Sequence, residues 1–144
     1  GGIVFLIGLQ AYQKNNAALY AADKQLLASS LYIQQHFKEP ISTQTLCQLS
    51  QLPVRQYQRK FKRIFGVSPQ EYIIRHRIYF ACDALRNSRS DIALIGISAG
   101  FYDQSCFTRQ FKKYMHTTPL KYRKALNAAA APQSAASLAQ GVLC

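Results

Sequence analysis

The feature that most constrains this chain is that part of it occurs twice. Shifting residues 57–72 by fifty positions lays them on residues 107–122. Tyr57 meets Phe107, Arg59 meets Arg109, Phe61 meets Phe111, and Lys62 and Arg63 meet Lys112 and Lys113. Pro69 meets Pro119, and Tyr72 meets Tyr122. Upstream, Leu46-Cys47 corresponds to Ile95-Gly96 once the second turn is given one extra residue. A stretch that recurs with its aromatic, basic and proline positions kept is one structural unit used twice.

The pattern inside and around each copy is helical. Leu26, Leu27, Leu31, Ile33 and Phe37 predict a first helix from Asp23 to Phe37, closed by Glu39-Pro40. Ser42 or Thr43 can cap a short helix carrying Leu46 and Leu49; Pro53 marks the turn before a basic helix that runs to Phe65, with Gly66 as its C-cap. Tyr72, Ile73, Ile78, Ala81, Ala84 and Leu85 predict one long helix from Pro69 that stops near Asn87. Asp91 is placed to cap a short helix, Ile92 to Ala99. Gly100 opens a turn into a helix from Asp103 to about Tyr114, and Thr118-Pro119 starts a last helix ending near Ala125. No stretch alternates apolar and polar residues as a strand would. The expected fold is therefore all-α, about seven helices, with two helix-turn-helix units joined by a long linker helix.

Each basic helix divides its labour between faces, because residues three and four apart lie on one side. Tyr57, Phe61 and Ile64 form the inward stripe of the first, and Phe107, Phe111 and Tyr114 that of the second. Arg55, Gln58 and Arg59 then project outward, and Arg and Gln are the side chains that pair with guanine and adenine edges. In the second helix Ser105, Cys106 and Arg109 fall on the open face. Lys62, Arg63, Thr108, Lys112 and Lys113 lie where phosphates would run. The small residues Cys47 and Gly96 suit the close crossing of the two helices in each unit.

Charge agrees with that division. The 144 residues hold 18 Lys and Arg against 6 Asp and Glu, a formal charge of +12, and such a field draws polyanions. Anionic membrane is the competing partner, but the apolar run Ile3 to Leu9 falls far short of the roughly 20 residues that span a bilayer and lacks a signal peptide's basic flank. A soluble, cytoplasmic, nucleoid-associated protein with no membrane partner is expected. With 49% apolar residues the chain can bury one core. That makes residues 1–22 a leading segment, 23–126 the domain, and the Ala- and Ser-rich 127–144 a tail. Cys47, Cys82, Cys106 and Cys144 form no close zinc-gripping pair, and His36, His76 and His116 are too dispersed to be ligands. With no paired carboxylates, phosphate-cradling loop or Ser-His-Asp set, the sequence predicts no catalytic residues, no metal and no cofactor: this is not an enzyme.

Several local motifs are more specific than the general plan: Tyr57-Gln58-Arg59-Lys60-Phe61-Lys62, Gly66-Val67-Ser68-Pro69 with Tyr72, Arg77-Ile78 with Ala81, Ile92-Ala93, Gly100-Phe101, Gln104-Ser105-Cys106-Phe107-Thr108-Arg109, and Thr118-Pro119 with Tyr122-Arg123. From about Asp23 to Ala125 the chain resembles the DNA-binding domain of the arabinose-regulator (AraC/XylS) family of bacterial transcription activators. The resemblance implies a seven-helix domain whose long helix holds two reading helices apart, so that they enter successive major-groove segments about 34 Å apart on one side of duplex DNA. It implies base contacts at Arg55, Gln58, Arg59, Ser105, Cys106 and Arg109, RNA polymerase as a partner, and a separate sensing and dimerising domain. Some 22 residues precede the first helix, so the expectation is a stand-alone member or one whose sensor has been lost or cut away. The chain departs from the family pattern at His116 and Gln51, where glycines are usual, and at Gly96, where alanine is usual. A helix-interior glycine costs about 0.5 to 1 kcal/mol relative to alanine, so the second unit is expected to be the softer.

Two other function classes fit parts of the sequence. The same domain type is fused to DNA-alkylation repair modules with a metal-bound cysteine nucleophile, which would need clustered thiolates. A protein-interaction module would use the basic helices on an acidic partner, without strong salt dependence on DNA. A thiol at Cys106 could also be oxidised and block reading, although a small residue fitted against a thymine methyl is the simpler account.

Overall fold

The computed structural model describes residues 17–130, and the leading segment before Ala17 and the tail beyond Ala130, including Cys144, lie outside the described residues. Seven helices follow one another among the described residues: α1 (Ala17–His36), α2 (Thr43–Ser50), α3 (Val54–Phe65), α4 (Pro69–Asn87), α5 (Ile92–Ala99), α6 (Gln104–Met115) and α7 (Pro119–Ala129). The all-α expectation holds. The ends differ in two places: α1 begins six residues ahead of Asp23, and α7 continues past Ala125 through Ala129 into the segment read as tail. Alanine is the best helix former, so Ala128 and Ala129 extend α7 without needing anything to bury.

The chain divides into two compact units, Gly1–Tyr79 and Phe80–Cys144, with α4 contributing its first part to one and its last part to the other. In the first unit, Leu26 and Ile33 of α1, Leu46 and Cys47 of α2, Tyr57 and Phe61 of α3, and Tyr72 and Ile73 of α4 form one buried cluster. Not every apolar residue of the helical pattern joins it: Leu31 and Leu49 are exposed. The phenol of Tyr57, fully buried, donates to Ser29 Oγ at 3.2 Å, and burial pushes its pKa up to about 12. Phe61 sits edge-on to Tyr72 at 5.2 Å between ring centroids.

The second unit repeats this packing. Phe107 and Phe111 are fully buried, and Phe111 sits edge-on to Tyr122 at 5.5 Å. Ile95, Gly96, Ala99, Phe101, Ala81, Cys82, Leu85 and Pro119 are buried with them. Edge-to-face rings align the positive rim of one with the negative face of another, which fixes the geometry more tightly than area burial alone. The same pair at the same spacing in both units is the structural content of the fifty-residue repeat.

The helix ends explain the turns. Ser42 caps α2 by accepting from Thr45 N at 3.1 Å, Asp103 caps α6 by accepting from Cys106 N at 2.7 Å, and Thr118 caps α7 by accepting from Lys121 N at 3.2 Å. Asp91 stands at the start of α5 as expected, but its side chain makes no capping bond. Among the described residues four end helices in the left-handed region: Gly66 and Gly100, and the non-glycines Gln51 (φ 54°) and His116 (φ 60°). The two departures from the family's glycines thus keep glycine's backbone and carry its strain. The Gln51 side chain accepts a hydrogen bond from Gln25 Nε2 at 3.0 Å. Exchange of His116 for glycine should therefore raise stability by about 0.5 to 1 kcal/mol, read as a higher urea midpoint with unchanged slope.

His76 of α4 adds a pH dependence. Its ring packs against Phe37 (5.5 Å) and Tyr72 (4.9 Å), and burial lowers its pKa from 6.5 to about 4. The unfolded chain takes up this proton first as pH falls, so the contribution is whole above about pH 6.5 and is lost progressively toward pH 4. Stability measured by urea titration should decline over that window by no more than about 1.4 kcal/mol per pH unit, and less because the ring is only partly shielded. A His76→Phe variant should flatten the decline.

Candidate nucleic-acid interface

In the first unit, α3 carries an exposed basic face. Tyr57 and Phe61 point into the core and are fully buried, which forces Arg55, Arg59, Lys62 and Arg63 outward, where all four are exposed; Gln58 is half-buried at the edge of the same face. The helix VRQYQRKFKRIF contains five cations and no acid. Its first turn lacks a side-chain cap, because Pro53 occupies the N-cap, and Lys62 and Arg63 fall in its last turn, where the helix dipole favours cations.

In the second unit, α6 does the same with fewer charges. Phe107 and Phe111 are buried; Ser105, Arg109, Lys112 and Lys113 are exposed; Cys106 and Thr108 are half-buried. Ser105, Thr108, Arg109 and Lys112, together with Gln104, line one open cleft of about 540 Å³ along the helix. Cys106 and Lys113 are not among its lining. A helix advances by about 100° per residue, so Cys106 flanks Ser105 on the side away from Thr108. Gln104 is a further polar residue of this face that the sequence did not single out. Its signal was available, since it lies four residues ahead of Thr108.

Two further residues hold these faces in place. Arg77 of α4 donates from Nε to Phe37 O at 2.6 Å and from Nη2 to Glu39 O at 3.0 Å, closing the end of α1. Arg123 of α7 donates to Leu85 O at 3.2 Å, Ser90 O at 2.7 Å and Ser88 O at 3.2 Å, closing the end of α4. Both stand in motifs visible in the sequence, yet neither shows its role there, because the acceptors are backbone carbonyls more than thirty residues away.

Among the described residues no group of three or more His, Cys, Asp or Glu could hold a metal, and burial raises the thiol pKa of both Cys47 and Cys82, which disfavours the thiolate a nucleophile needs. No helix of the described residues is long and apolar enough to cross a membrane.

A model of the helix-turn-helix domain matches residues 46–125, a span that takes in both basic helices and α4 between them. The chain belongs to the AraC-type helix-turn-helix family. A transcriptional regulator of Chromobacterium violaceum, described by its AraC-type DNA-binding domain, shares the fold: it is 24% identical, with a TM-score of 0.65 over 72% of this chain and 93% of that one. The DNA-binding domain of AdpA, solved with a target DNA, is 22% identical, with a TM-score of 0.68 over 72% of this chain and 93% of that one. In sequence, the probable transcription factor PqrA of Proteus vulgaris is 35% identical over 86 residues, which cover 60% of this chain and 70% of that protein. Other curated relatives, a transcriptional activator among them, are longer, and the AraC-type chain spans 32% to 41% of their lengths. The family is one of transcription regulators, and the curated relatives are named as such.

Proposed function

We propose that this AraC-type chain regulates transcription by reading duplex DNA in two elements, one for each unit, and that it acts as an activator near promoters. The observation that carries this reading is the doubled basic helix: α3 and α6 each bury an aromatic pair and thereby turn a row of cations and polar side chains to solvent. Arg55, Gln58 and Arg59 read bases in the first element, and Ser105, Cys106 and Arg109 in the second. Lys62, Arg63, Thr108, Lys112 and Lys113 neutralise the phosphates beside them, which makes affinity fall steeply with salt. The complex of the AdpA domain with its target DNA supports the choice of duplex DNA as the partner. RNA polymerase as a second partner, residues 23–126 as the working domain, a separate sensing and dimerising domain, and a cytoplasmic, nucleoid-associated location complete the proposal.

Selection of bound sequences from a random duplex pool tests it, run on the chain and on the single variants Arg59→Ala and Arg109→Ala. The expected result is a motif of two elements about one helical turn apart, with each substitution blurring one of them at a cost of about tenfold in affinity. A pool that stays random while binding remains strong and salt-sensitive would reduce the domain to an electrostatic anchor. Binding that ignores salt would favour the protein-interaction reading.

A further inference from the structure

The second turn is longer than the first by one residue, and the structure shows which one. In the first, the left-handed Gln51 is followed by Leu52, whose amide donates to Cys47 O at 3.2 Å, and then by Pro53 at the N-cap of α3. In the second, the left-handed Gly100 is followed by Phe101, whose amide donates to Gly96 O at 3.0 Å, while Asp103 is the N-cap of α6. Tyr102 stands between Phe101 and Asp103 and has no counterpart in the first unit.

Both of its neighbours are tied down. Phe101 is buried and packs on Phe107 at 5.3 Å between centroids, and Asp103 is held by its bond to Cys106 N. Tyr102 itself is 90% exposed, the most exposed of the large apolar and aromatic side chains among the described residues. An inserted ring carried on anchored backbone, yet covered by nothing in its own unit, is not there for the core. It borders the first turn of α6, directly ahead of the exposed face that carries Ser105, Arg109 and Lys112.

We propose that Tyr102 is a contact to the DNA backbone at the edge of the groove that α6 enters, its ring packing on a deoxyribose and its hydroxyl donating to a phosphate oxygen. This rests on the DNA-reading function proposed above. Tyrosine is among the side chains that reach sugar and phosphate, and such contacts fix position on the duplex without reading sequence. The second unit has reason to use one: α6 carries three cations where α3 carries five, and Asp103 adds a carboxylate at its head. A neutral donor with an apolar ring adds hold there without adding charge.

The test is anisotropy titration of the chain on its selected duplex and on a scrambled duplex of equal length, with thermal melts alongside. Tyr102→Ala should weaken both duplexes by the same factor, about three- to tenfold, and Tyr102→Phe by about two- to threefold, with melting unchanged. Arg109→Ala should instead lose mainly on the selected duplex. Tyr102→Ala affinities equal to the parent on both duplexes would overturn the proposal. So would a loss confined to the selected duplex, which would make Tyr102 a base reader, or a loss of self-association with DNA affinity intact, which would make it a protein contact. Failure of the parent chain to bind any duplex would sink the DNA-reading function itself and this contact with it.

Discussion

Gly96→Ala should destabilise the second unit by about 2 to 3 kcal/mol, although helix propensity alone predicts a gain of about 1 kcal/mol. The reason is space. A Cβ at Gly96 would lie 2.7 Å from Cγ and Cδ2 of Phe107 and 2.8 Å from its Cβ. These atoms include the root of a fully buried side chain on α6, so they cannot swing aside as a flexible tip could. Either α5 backs away from α6 or Phe107 leaves its packing against Phe101 and Phe111, and each costs more than the propensity returns. Urea unfolding followed by circular dichroism gives the sign. In DNA selection the same variant should lose the second element while keeping the first. A variant as stable as the parent would show that the two helices can separate without penalty.

Arg123→Ala should cost on the order of 3 kcal/mol, because its guanidinium serves three carbonyl oxygens, those of Leu85, Ser88 and Ser90, where α4 ends. These carbonyls belong to the last turn of a helix and the segment after it, where no intrahelical amide remains to satisfy them. Arg123→Lys should recover little, since an ammonium cannot present donors along the planar fork that reaches all three. Arg77→Ala, with two carbonyls to lose, should cost less. Equal melting temperatures for Arg123→Lys and the parent chain would show that charge and not fork geometry holds the end of α4.

Much of this fold could be read along the chain. The fifty-residue repeat announced two units, and the aromatic pairs Tyr57–Phe61 and Phe107–Phe111 are the buried pairs that orient α3 and α6. Helix ends were legible where a side chain or a glycine acts locally, as at Ser42, Gly66, Asp103 and Thr118. Asp91 shows the limit: residue type gave the position of the helix start, while the bond depends on a rotamer that α5 does not require. The start of α1 and the end of α7 were misjudged because the contrast between apolar and polar positions is lost there while helix-forming residues continue.

Gly96 carried two readings along the chain, a small residue where the two helices of its unit cross and, by propensity, a soft spot. The approach of Phe107 from α6 answers to the first, although how near that ring comes is written in no local pattern. The clamps at Arg77 and Arg123 were hidden for the same reason. On the candidate interface the outward rows of α3 and α6 followed from helical geometry, whereas the grouping of Gln104 and Thr108 with Ser105, Arg109 and Lys112 needed the surface itself.

The sharing of α4 limits how the chain can be dissected. Its early residues Tyr72 and Ile73 finish the core of the first unit and its Arg77 locks α1, while its later residues Ala81, Cys82 and Leu85 are buried in the second. A fragment ending after α3 would strip Phe61 of its edge-on partner Tyr72, and one beginning at α5 would leave Arg123 with no helix end to hold. Any pair of excised halves that both fold must therefore each carry a copy of α4, so the two halves overlap by a helix and their lengths sum to more than the whole.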